Sequence, residues 1–331
     1  MTSHPRKTIA IIGATGNQGF SVAETFSSLP GWHIRAITRS PSSDKAKELA
    51  QMGCEIVQAD LADIPSLSRA FDGAHAIFLN TDFWATYRAS ALAGDDPEKS
   101  AKLGFETEIQ HGKNAALAAA AVPTLERLVY SALGPMNAAS GGKYPTSYHW
   151  ETKALIVNYI EKEQPELAGK ISFVYMGAYA TNPLLSPKPD ASTGEYRALL
   201  PCSGKTRMPI CDETRSPGPF VRALVEDEAA GVKLLAYDSY LTMEEAVEAW
   251  SRVTGKSATV VALSIDEMSR RTGVPHEVLW APAFVEEFGF MAGVEGFIEP
   301  AQLQKKVTTA SYEEWLRTRD MNQLLSRDFT I

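Results

Sequence analysis

The run Gly13-Ala14-Thr15-Gly16-Asn17-Gln18-Gly19 follows a β-branched stretch at 8–12 and opens a helical one. Glycines at this spacing suit a tight chain reversal, a close approach of backbone to a pyrophosphate, and packing of a helix onto the preceding strand. The helix start then offers unpaired N–H groups and a positive dipole end to phosphate. The chemistry expected of Gly13, Thr15, Gly16, Asn17, Gln18 and Gly19 is therefore dinucleotide binding. At the end of the next β-branched stretch, where an acidic residue would bind both ribose hydroxyls of NAD, the chain has Thr38-Arg39-Ser40. A guanidinium there pairs with a 2′-phosphate and Lys45 adds charge, so NADP(H) is the expected cofactor, with Arg39 as a plain surface charge the alternative. By topology, Asp60 and Leu61 reach the adenine edge, and Asn80 and Thr81 run under the middle of the cofactor.

These residues need a scaffold, and the first half of the chain supplies its pattern. Short β-branched runs at 8–12, 33–38, 55–58, 76–80, 125–131 and 170–176 alternate with helical stretches at 18–29, 44–52, 64–71, 106–121 and 150–164. Stacked βαβ units with right-handed crossovers predict an α/β fold with a Rossmann-type doubly wound parallel sheet over residues 1–181. From 182 to 219 the chain turns rich in proline, glycine and serine, which reads as a lid, a binding surface or a disordered connection. Within it, Asp212-Glu213 reads as solvated surface. Helices at 219–226, 242–254, 265–272 and 275–289, a strand at 259–263 and an amphipathic end at 311–325 complete the chain. Thr242 and Glu245 carry the spacing of a capping box. Residues 182–331 are thus expected as a smaller C-terminal α/β lobe over the sheet edge, forming a substrate or partner cleft.

Composition agrees with a globular chain. The 331 residues are 44% hydrophobic and 22% charged, which argues against a disordered or fibrous protein. A net charge of −8 without a basic run argues against direct nucleic-acid binding. Cys54, Cys202 and Cys211 are too irregularly spaced for a disulfide framework or a zinc site, and no His/Asp/Glu cluster has metal-ligand spacing. The longest apolar stretch, 115–122, is too short to span a bilayer, and no secretory signal is evident. The expected location is cytoplasmic, with the nucleus also open; the oligomeric state is not readable.

The Gly-x-x-Gly-x-x-Gly spacing points to short-chain dehydrogenases. More particularly, the chain resembles the NmrA-like family of atypical short-chain dehydrogenase/reductases, through residues 11–19, Asn80-Thr81-Asp82-Phe83-Trp84, Leu128-Val129-Tyr130-Ser131, His149-Trp150-Glu151-Thr152-Lys153 and Ser311-Tyr312-Glu313-Glu314-Trp315-Leu316. That resemblance implies NADP(H) binding, and it covers both reductases of quinones, imines or carbonyls and regulators that bind NADP(H) without obvious turnover. Short-chain reductases carry a Tyr-x-x-x-Lys pair on one helix face; here His149 replaces the tyrosine and Lys153 remains. Lys153 is expected to hold the nicotinamide ribose or donate a proton, and His149 to act as an acid or as a structural histidine. Tyr148, about 100° round the helix, cannot take the missing phenol's place. Ser131 stands where such enzymes hold a substrate-orienting serine, with a turn cap as its other reading. Phe83, Trp84, Tyr179 and Asn182 are candidate substrate walls, and His111 and Lys113 lie on a helix flanking the cofactor. The expected activity is hydride transfer to a small-molecule C=O, C=N or C=C bond; the alternative is a cofactor-sensing regulator acting on a protein partner.

Overall fold

A computed structural model describes residues 6–190 and 193–326. The first half runs β1 (Lys7–Ile12), α1 (Asn17–Ser27), β2 (Trp32–Thr38), α2 (Asp44–Gln51), β3 (Glu55–Gln58), α3 (Ile64–Phe71), β4 (Ala76–Leu79), α4 (Phe83–Leu92), α5 (Pro97–Ala120), β5 (Arg127–Ala132), α6 (Met136–Ala139), α7 (Tyr148–Glu163), α8 (Pro165–Ala168) and β6 (Ile171–Met176). The second continues with β7 (Ala178–Tyr179), β8 (Lys188–Pro189), β9 (Tyr196–Leu200), β10 (Arg207–Cys211), α9 (Pro217–Glu226), β11 (Lys233–Ala236), β12 (Ser239–Thr242), α10 (Met243–Thr254), β13 (Ala258–Ala262), α11 (Ile265–Thr272), α12 (His276–Phe288), α13 (Tyr312–Arg317) and α14 (Met321–Ser326).

Seven parallel strands form the main sheet in the order β11-β6-β5-β4-β1-β2-β3. Side chains alternate across it: Ala10 and Ile12 join the core on one face, Ile9 and Ile11 the core on the other. Residues of α3, α5 and α7 cover the first face, and those of α1 and α9 the second. This is the expected doubly wound architecture. The chain beyond residue 181 is interwoven with it, because β11 pairs with β6 and Gly218 of α9 fits so closely to α1 that a Cβ would lie 2.1 Å from Thr25 Oγ1.

Three features differ from expectation. The helix foreseen at 106–121 begins at Pro97, and α4 precedes it where no helix was foreseen. Both have ordinary start signals: Asp82 accepts from the Ala85 N–H at 3.2 Å, and Asp96 accepts from the Lys99 N–H at 2.9 Å ahead of Pro97. Of the readings open for the proline-rich 182–219 segment, a disordered connection does not fit its described residues. The segment supplies β8, β9 and β10 to two three-stranded sheets, β12-β10-β7 and β13-β9-β8. Gly177 permits the strand contact there, since a Cβ would meet Pro209 O at 2.6 Å. Finally, Asp212 and Glu213 are buried, not solvated: Asp212 Oδ1 accepts from the Thr214 N–H at 2.9 Å, and Glu213 accepts from the Thr181 hydroxyl at 2.5 Å. Local polar partners replace the lost water.

Candidate functional site

The sheet order reverses between β1 and β4, whose carboxyl ends diverge into a crevice. A cavity of about 1120 Å³ lies there. The glycine turn forms its floor. Gly13 has φ +72°, a left-handed conformation. No side chain caps α1, so the first-turn N–H groups at Asn17 and Gln18 are left for a ligand beside the cavity. A Cβ on Gly19 would sit 2.2 Å from Gly13 O, so this glycine serves helix-on-strand packing and does not line the cavity.

Toward one end, Thr38, Arg39, Ser40, Lys45, Asp60, Leu61 and His111 line the wall. Arg39 is exposed and has no ion pair among the described residues, and it also faces an adjoining hollow of about 280 Å³ with Gln58, Asp63 and Arg69. Lys45 is less free: its Nζ bonds Glu48 Oε2 at 3.0 Å and lies 4.2 Å from the Phe20 ring centroid. One Asp60 oxygen accepts from the Ala62 N–H at 2.8 Å, and the Leu61 carbonyl accepts from Asn114. Burial holds the His111 imidazole pKa below its ordinary value; Asp60 opposes that shift and Arg39 reinforces it.

Midway along the cavity lies a charge network absent from the sequence reading. Lys153 Nζ donates to Thr81 O at 2.9 Å, Thr81 Oγ1 at 3.2 Å and Asn80 Oδ1 at 3.3 Å, and stands 3.3 Å from Glu108 Oε1. The Glu108 side chain is fully buried and also accepts from the hydroxyls of Thr81 at 2.6 Å and Thr152. Tyr130 hydrogen-bonds Thr81 at 3.2 Å, and burial, with Glu108 nearby, keeps its phenol pKa well up. Geometry explains how a helix carries a carboxylate so deep. Gly104 and Gly112 flank Glu108 by one turn each on α5, where a Cβ would meet Phe83 at 2.9 Å and Ile156 at 2.4 Å.

His149 and Lys153 share a face of α7, and Nδ1 of the histidine lies 3.4 Å from Glu277 Oε1. Its ring packs on Trp84 with centroids 5.2 Å apart, and on Phe83 at 6.3 Å. Tyr148 instead packs on Phe105 and is not part of the cavity wall. Ser131, buried at the end of β5, faces the cavity with no side-chain hydrogen bond among the described residues. Tyr179 also lines it, its hydroxyl accepting from Gln18 Nε2 at 2.7 Å, and Asn182 lines it while accepting from the Leu184 N–H. Beyond them the wall turns apolar, with Leu184, Leu200, Met208, Met243, Val278 and Val285.

With this crevice in place, comparison with known proteins places the chain. Residues 5–316 match the NmrA-like family. The chain belongs to that family. An NmrA-like family domain-containing oxidoreductase, hkm9, of Aspergillus hancockii is 28% identical over 281 residues, covering 81% of this chain and 78% of that protein. Another, FrzB of Cladobotryum sp, is 38% identical over 135 residues, 41% of this chain and only 36% of its own length. Among solved structures, NmrA, a negative transcriptional regulator, in complex with NADP matches with a TM-score of 0.66 at 23% identity, covering 97% of this chain and 94% of that one. That likeness shows the fold. Of the residues anticipated at or beside the site, all but Gly19 and Lys113 line the cavity of about 1120 Å³. Glu108 and Glu277 went unforeseen: the Gly104/Gly112 spacing hinted at the first, and no local signal marks the second, which arrives from α12.

Proposed function

We propose that the protein is an NADP(H)-dependent oxidoreductase acting on a C=O, C=N or C=C bond of a small molecule. The observation that carries this reading is the shared cavity: the uncapped glycine turn, an unpaired arginine, Lys153 and an apolar chamber all line it. The residues suit a phosphorylated dinucleotide, because free N–H groups and the left-handed Gly13 make a cradle for diphosphate and Arg39 supplies the cation for a 2′-phosphate. When bound, the nicotinamide ring supplies or accepts the hydride. Asn80 and Thr81 keep Lys153 Nζ at the middle of the cavity, where it holds ribose hydroxyls or moves a proton. Glu108 neutralises its charge. Ser131 Oγ orients the substrate heteroatom, and His149, backed by Glu277, stands as the second proton donor. Phe83, Trp84 and Tyr179 exclude water around that atom.

The test is NADPH oxidation against a panel of quinones, imines and ketones, with cofactor titration beside it. A charge-assisted pair with the 2′-phosphate is worth about 1.5–3 kcal/mol, or roughly 10- to 150-fold preference for NADPH over NADH. Arg39→Asp should collapse that preference, whereas equal wild-type affinities would make Arg39 a surface charge. Tight NADPH binding without turnover of any substrate would favour a cofactor-sensing regulator with a protein partner, a reading that His149 in place of tyrosine supports. Among the described residues no helix is long and apolar enough to cross a membrane.

A further inference from the structure

We infer that the half of the cavity remote from the glycine turn takes an uncharged, ring-sized apolar molecule with one hydrogen-bond-accepting C=O or C=N group, and that it rejects carboxylated and phosphorylated metabolites. This deepens the oxidoreductase reading and rests on it for the identity of the second ligand. The cavity of about 1120 Å³ continues past the residues expected to hold a dinucleotide into a chamber lined by Leu200, Met208, Met243 and Val285. Its remote wall is built by an unusual use of α12: Val278, Ala281, Pro282 and Val285, one helical stripe, face the cavity. Val278 and Ala281 stay partly exposed to it.

Charge bookkeeping excludes an anion. Among the described residues the charged groups near this half are already matched, Lys153 by buried Glu108 and Arg88 at 3.9 Å by Asp82, and the His149 ring stands 3.4 Å from Glu277. Arg39 and Lys45 belong to the opposite end with Asp60. A carboxylate entering the chamber would lose its hydration and gain no unspent cation. Among the described residues the buried Ser131 hydroxyl faces the cavity without a hydrogen-bond partner, which suits a neutral acceptor.

Calorimetric titration of the full chain saturated with NADP+ tests this, using 2-acetylnaphthalene, its 6-carboxylate and pyruvate. The neutral ketone should bind about a hundredfold more tightly than the carboxylate, and pyruvate should give no heat. Ala281→Phe, which fills the chamber, should weaken the ketone about tenfold with NADP+ affinity unchanged. Val278→Arg should narrow or invert the ketone-to-carboxylate ratio by supplying the missing cation, which covers the case that Ala281→Phe does not fold. Carboxylate binding equal to or tighter than the ketone's, or indifference of both variants, would overturn the inference. Two titrations of the cofactor-free chain keep the two claims apart: NADP+ that gives no binding defeats the oxidoreductase reading, while the ketone-to-carboxylate ratio measured without cofactor still judges the chamber.

Discussion

The two halves of the cavity are made by different means. The floor at β1 and α1 is backbone: a left-handed Gly13, an uncapped helix start and glycines where a Cβ would collide. The far wall is side chain, drawn from short strands and one helix stripe of the second half. Backbone geometry is shared by any chain with this βαβ turn, so the floor speaks for the cofactor class. Side-chain lining changes with single substitutions, so the wall speaks for the substrate. Between them Glu108 and Lys153 tie α5 to α7 at the cavity.

Breaking that tie should give the largest effect. Glu108→Ala leaves the part-buried Lys153 cation without its counter-charge and strips acceptors from Thr81 and Thr152, at a cost of about 3 kcal/mol in denaturant unfolding. Glu108→Gln keeps the hydrogen-bonding shape and removes the charge, so it should recover part of the stability. Equal losses for both variants would mean that charge, not shape, dominates.

Next comes the floor itself. Gly19→Ala puts a methyl 2.2 Å from Gly13 O, forcing α1 off β1, and should cost about 2–3 kcal/mol together with a marked loss of NADPH affinity. Retained affinity at lowered stability would show that the turn adapts independently of the helix behind it.

A milder cut at the far wall sharpens the contrast. Thr242 and Glu245 cap α10 reciprocally, with bonds of 3.1 and 2.7 Å, and the next residue, Met243, lines the chamber. Thr242→Ala should cost about 1 kcal/mol and leave NADPH affinity unchanged. A fall in cofactor affinity would mean that the two halves are mechanically coupled.

The same division governs what the sequence disclosed. Elements whose signals are local were readable: β3, α3 and α11 fall at the anticipated bounds, and the Thr242 capping box is present. The turn announced the floor because glycine types and spacing encode backbone geometry directly. In the second half the helices and β13 were legible, but β7 to β12 were not, because these strands are two to five residues long and several find partners far along the chain, as β9 does in β13. Likewise Asp212 looked solvated because Asp238 and Arg319, which lie beside it, are distant in sequence. Glu108 sits in a helix of ordinary composition, and only the tertiary approach of Thr81, Thr152 and Lys153 gives it a role.

The smallest effect concerns pH at the adenosine end. Burial lowers the His111 pKa, and the nearby Arg39 charge acts in the same direction against the opposing pull of Asp60 and Glu108. A lowered folded-state value means that the native protein prefers the neutral ring. Above the ordinary histidine pKa of about 6.5 both states are neutral, and the group contributes nothing to pH dependence. As pH falls through that value the unfolded chain takes up the proton more readily, and stability declines toward the lower native pKa. Because His111 is only half-buried, the loss on acidification should be small beside the effects above. The chain holds other histidines, so the readout is the difference between wild type and His111→Gln. The variant should show a shallower decline on acidification, and parallel curves would mean that the His111 ring is hydrated in the native protein.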